Sequence, residues 1–131
     1  MINDFAAFGS AIYSRLSGQG TVGVYNTLAP QGTPAPYVIF QRQGSVDDHT
    51  FADGGAGGVV ADYAVKVVSS HKLIGEAQAL YGPVHTAMQD APLSATGLSF
   101  IRCRRTSTLS YRDPDGYWHV GGIYRIEAWA S

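Results

Sequence analysis

The chain has 131 residues, a net charge of −1 and a pI near 6.4, with 45% hydrophobic and 15% charged residues. That length fits one domain over 1–131, able to bury roughly two-thirds of its unfolded surface. The charge balance gives no global basic field for nucleic acid, no apolar run reaches the roughly 18 residues of a membrane span, and a lone cysteine, Cys103, excludes an internal disulfide or multi-cysteine zinc site.

Phe5, Phe8, Ile12 and Leu16 recur at helical spacing with alanines between them, so a first helix is predicted over Asp4 to Leu16. Asn3 or Asp4 can cap its start, and Ser17-Gly18 ends it. A short strand follows over Thr21 to Thr27. Leu28 to Pro36 holds three prolines and reads as a stiff, extended loop. Tyr37 to Gln43 is rich in strand-forming residues. Gly44 to Gly58 is polar and then glycine-dense, including Asp53, Gly54, Gly55, Gly57 and Gly58. Val59 to Ser69 is a strand with Tyr63, Val65 and Val67 on one face and Asp62, Ala64 and Lys66 on the other. The last two strands suggest a long hairpin with a mobile tip.

Leu73, Ala77, Leu80, Val84, Ala87 and Met88 form one stripe, which predicts a second helix over His71 to Asp90. Gly82-Pro83 inside it predicts a kink or two short helices. Leu98 to Arg112 is a strand, Asp113-Pro114-Asp115-Gly116 a turn and Tyr117 to Ala130 a final strand. The element order α-β-β-β-α-β-β implies an α+β two-layer domain. In it an antiparallel sheet of about five strands is covered by two helices.

No catalytic, cofactor or metal constellation emerges. The glycine run lacks a Gly-Lys-Ser/Thr ending and leads into a strand, so it is no phosphate loop. Asp47-Asp48-His49 would alternate sides on an extended chain, and His71, His85 and His119 are scattered. No Gly-x-Ser-x-Gly elbow is present. Cys103 between Arg102 and Arg104 reads as a half-buried strand cysteine in preference to a reactive thiol. Met1-Ile2-Asn3-Asp4 lacks the basic and apolar start of a signal peptide.

The low charge content fits either a surface covered by a partner or a merely bland one. Arg102, Arg104, Arg105 and Arg112 are the one basic cluster. Simple alternation puts Arg102, Arg104 and Arg112 on one face, unneutralised within the strand, and Arg105 with Cys103 on the other. That face reads either as a solvated sheet face or as a binding surface, for which carboxylates of a neighbouring copy, with Asp47, Asp48, Asp53, Asp62 and Glu127 as candidates, fit better than DNA phosphates.

Tyr25, Ala29-Pro30-Gln31-Gly32 and Pro36-Tyr37-Val38 resemble a motif series of the tail-completion, or tail-terminator, family of long-tailed bacteriophages and related particles. Val84-His85-Thr86-Ala87-Met88, the following Ala91-Pro92-Leu93 and the arginine strand closing on Asp113 to Gly116 are similar too. The departures are the glycine-rich tip and Gly82-Pro83. The resemblance implies an α+β protein of the virion, made in the host cytoplasm. It would form a ring, usually a hexamer, that caps the tail tube, joins it to the head connector or stopper protein and passes genomic DNA without sequence-specific binding. It implies no catalysis, no cofactor and no membrane partner. Arg102, Arg104, Arg112, Asp53, Gly54, Gly55, Gly57, Gly58, Pro30, Gln31 and Gly32 are then interface candidates. A head–tail neck adaptor, or a small ligand-binding α+β domain or enzyme, are the competing readings.

Overall fold

The computed structural model describes residues 4–18, 22–48, 58–90, 92–94 and 98–130. The elements are α1 (Asp4–Ser17), β1 (Gly23–Asn26), β2 (Tyr37–Asp48), β3 (Gly58–Ser69), α2 (Gly75–Met88), β4 (Leu98–Arg112) and β5 (Trp118–Ala130). The strands form one sheet in the order β1-β2-β3-β5-β4. The α+β class and the element order match the sequence reading.

Both helices lie on one face and share one core. Phe8, Ile12 and Leu16 of α1 meet Val24, Val38, Phe40 and Tyr63, while Ala77, Tyr81, Val84 and Met88 of α2 join Val65, Val67, Val120, Tyr124 and Ile126. The odd-numbered residues of β3 from Val59 to Val67 face the helices, as the alternation predicts. Arg15 Nε donates to the Ala87 carbonyl at 2.8 Å, so α1 satisfies an orphan carbonyl in the last turn of α2.

The sheet is mixed, not wholly antiparallel: β1 runs parallel to β2 in the register Gly23↔Tyr37 to Asn26↔Phe40. A parallel pair needs a return crossover. Residues 27–36 provide it, since ten extended residues reach about 33 Å and a four-residue strand is only about 13 Å long. The proline-rich composition marks this segment as a loop but carries no sign of strand direction.

Three other expectations are corrected. β2 continues through Asp48 past a bulge between Arg42 and Gly44, because the apolar start of β3 supplies a pairing partner. The helix α2 is one element across Pro83 and not two short helices. Ala79, whose carbonyl would have bonded the missing N–H of residue 83, is exposed, as are Gly82 and Pro83, so water can take its place. Leu73, read as part of the apolar stripe, precedes α2 and is 69% exposed.

The β4–β5 hairpin forms as its turn residues require. Gly116 has φ +87° and donates to the Asp113 carbonyl at 2.9 Å, and Asp113 N–H bonds the Tyr117 carbonyl at 2.9 Å. At Gly121 the strands crowd so closely that a Cβ would run into the Val65 carbonyl oxygen, which only glycine avoids.

Candidate assembly surface

The two bulges in β4, between Phe100 and Arg102 and between Arg105 and Ser107, decide where its arginines point. Arg102 and Arg104 oppose Glu127 and Arg125 on the face away from the helices. Arg105 opposes Tyr124, on the helix side with Cys103, as expected. The extra residue at Thr106 inverts the alternation beyond it, so Arg112 opposes Trp118 on the helix side. Arg102, Arg104 and Arg112 therefore do not share a face. Arg112 folds back on its own turn, with Nε donating to the Gly116 carbonyl at 3.2 Å and the guanidinium 5.6 Å from the Trp118 ring.

The acids expected to await a neighbouring copy are partly engaged within the chain. Arg102 Nε lies 3.4 Å from Glu127, and Arg125 Nε donates to Asp62 at 3.1 Å. Arg104 is exposed, faces Arg125 across the strand pair and has no ion pair among the described residues. Like charges directly opposite repel, and Arg104, like Lys66 on the same face, is a cation without an acidic partner among the described residues.

Pro30, Gln31 and Gly32 form an exposed turn. Thr33 N–H donates to the Pro30 carbonyl at 3.0 Å, the Thr33 hydroxyl adds a second bond at 2.6 Å, and Gly32 takes φ +85° at the third turn position. Past the turn, an open groove of about 370 Å³ runs between β1 and the loop, lined in part by Tyr25, Pro34, Pro36 and Tyr37. The Tyr25 and Tyr37 rings meet edge to face at 6.0 Å. Gly58 opens β3. Asp53, Gly54, Gly55 and Gly57 lie outside the described residues, as does most of the predicted mobile tip.

Two clusters had no sequence signal. Tyr124 is fully buried, and its hydroxyl meets the Tyr81 hydroxyl at 2.6 Å and His85 Nδ1 at 2.8 Å. Arg105 Nη1 donates to Tyr81 at 3.3 Å. Burial first, and the Arg105 charge second, hold the His85 pKa below its ordinary value. Burial and the Tyr81 bond push the Tyr124 phenol far above its usual range. A Cβ at Gly122 would lie 2.6 Å from Arg105 Cδ, so that glycine makes room for the cluster. The second cluster lies on the opposite face. His119 Nε2 pairs with Asp113 at 2.8 Å, and its ring stacks on Tyr111 at 4.5 Å. Among the described residues no three acids, histidines or cysteines are placed to hold a metal.

The family profile described as "Tail completion protein gp17" matches residues 10–131. The chain belongs to that family. It is thus a structural protein of the virion tail, as the resemblance implied. A solved chain described as "Virion of native gene transfer agent (GTA) particle" is similar to this tail completion protein at 17% identity and TM-score 0.81, covering 95% of this chain and 96% of that one. A second solved chain is similar at 14% identity and TM-score 0.53, covering 96% and 92%. These likenesses show the shared fold. The search of curated proteins returned no match.

Proposed function

We propose that this tail completion protein acts as one domain and forms a hexameric ring at the head-proximal end of the tail tube. The ring stops tube growth, joins the tube to the head connector or stopper protein and lets genomic DNA pass without sequence-specific contact. The family match over residues 10–131 carries this reading. Two features support it. A ring needs a heterologous contact, one patch meeting a different one, and the two ends of the sheet differ: β1 with its tyrosine–proline groove at one end, β4 with its arginines at the other. Arg104, left over from the intramolecular pairs, offers a carboxylate of the next copy a bidentate partner. The groove and the Pro30–Gly32 turn are a second contact surface, facing the tube or the connector.

The experiment is omission. Particles assembled without this chain should show tubes of uncontrolled length that do not join heads. Tubes of normal length that merely fail to attach would indicate a neck adaptor instead.

A further inference from the structure

We infer that neighbouring copies join by continuing the β-sheet, with residues 43–48 of β2 in one copy pairing antiparallel to residues 107–112 of β4 in the next. This rests on the ring reading and names the contact that would close it.

Both segments are open strand edges. β1 covers β2 only from Tyr37 to Phe40, and among the described residues no backbone hydrogen bond reaches the outer edge of β2 from Gln43 to Asp48. At the other end of the sheet, the chain after α2 caps the first part of β4: Asp90 N–H donates to the Cys103 carbonyl at 2.8 Å, and Gln89 Oε1 accepts from Arg105 N–H at 3.0 Å. No such cover reaches Ser107 to Arg112 among the described residues. The open edges are similar in length, Gln41 to Asp48 on β2 and Thr106 to Arg112 on β4.

Composition argues that the occupant is a second copy. Exposed edges are usually guarded by lysine, proline or inward charge. From Ser107 to Tyr111 the β4 edge is Ser-Thr-Leu-Ser-Tyr, with neither lysine nor proline; the bulge at Thr106 precedes it, and Arg112, which ends it on the helix side, is folded back on its own turn. Arg104 and Arg105 precede it, and Asp47 and Asp48 end the β2 segment. Within the chain β4 runs antiparallel to β2, because β2–β3, β3–β5 and β5–β4 are each antiparallel. A sheet carried on in one orientation therefore sets β4 antiparallel to the neighbour's β2. That direction brings Arg104 and Arg105, which precede one edge, to the end of the other that carries Asp47 and Asp48, and leaves Arg112, bonded to its own turn, at the far end.

The stagger is also consistent with closure. Ser107 is level with Gln41 in the chain's own register. Across the β2 bulge Gln41 and Asp48 are six ladder steps apart, so bringing Ser107 level with a neighbour's Asp48 shifts each copy by about 20 Å along the strands, over a four-strand width of about 19 Å. Strands tilted roughly 45° to the ring axis satisfy both, at the upper end of the range of closed barrels.

Disulfide trapping in purified particles tests this. Gly44→Cys, at a position where a Cβ meets nothing within 4 Å, is combined in turn with Leu109→Cys, Ser110→Cys or Tyr111→Cys. Within one chain these sites are separated by about 14 Å across the sheet and by several residues along it, beyond the ~7 Å reach of a disulfide. At least one combination should give a ladder of linked copies on a non-reducing gel. Hydrogen exchange on unmodified particles stands beside it: amides of 43–48 and 107–112 should exchange at least about tenfold more slowly than in the free chain. Rings that give neither cross-link nor protection overturn the edge pairing and leave the ring intact. Absence of a ring overturns the ring reading itself.

Discussion

His119 Nε2 donates to Asp113 Oδ2 at 2.8 Å, tying the β5 strand to the turn that precedes it. The same carboxylate accepts the Tyr117 N–H at 2.9 Å through Oδ1. The His119 bond first, and the Tyr117 bond second, hold Asp113 below the usual carboxylate range. A carboxyl whose folded pKa is depressed contributes stability above its unfolded pKa, near ~3.9, and loses it as pH falls through the folded value. Asp113→Asn should therefore lower the melting temperature near pH 7. The gap from the unmodified protein should close as the pH drops below about 4. A gap constant from pH 7 to pH 3 would show that the pair contributes nothing.

Tyr124 joins helix to sheet through hydroxyl contacts to Tyr81 and His85. Tyr124→Phe keeps the ring and removes the bridge, leaving buried polar atoms short of a partner at a cost of about 1–3 kcal/mol. Denaturant unfolding should show that loss with an unchanged slope. Burial first, and Arg105 second, depress the folded pKa of His85. As a base it loses stability when pH falls below its unfolded value, near ~6.5. His85→Gln should flatten the decline in stability between about pH 6.5 and pH 5.

Much of this architecture was legible in the sequence. The apolar stripe of Phe8, Ile12 and Leu16, the alternation in β3 and the Asp-Pro-Asp-Gly turn each express a local rule, and each reappears in the structure. What was hidden depends on pairing. A bulge at Thr106 has no residue signature, yet it turns Arg112 from the outer face to the helix side. The parallel direction of β1 is set by where the proline loop returns the chain. The Tyr81–Tyr124–His85 cluster joins residues about 40 positions apart, which no local spacing reveals. Pro83 was tolerated because its side of α2 faces water.

Arg104 is exposed and sits opposite Arg125. Arg104→Glu should leave the free chain folded, with a melting temperature unchanged or slightly raised, because the new carboxylate would face a cation across the strand pair. Incorporation into particles should fall. Reversing an acid on the neighbour's docking edge, Asp47→Lys or Asp48→Lys, should restore it. Normal incorporation with failure of DNA passage would instead assign Arg104 to the channel lining.

The central claim is a ring of this chain at the head-proximal end of the tail, and cryo-electron microscopy of that junction tests it most directly. Six copies related by six-fold rotation about the tube axis, fitting the β1-β2-β3-β5-β4 sheet, are the predicted result. A single copy, a lone dimer, or density for this chain only away from the tube end would contradict it.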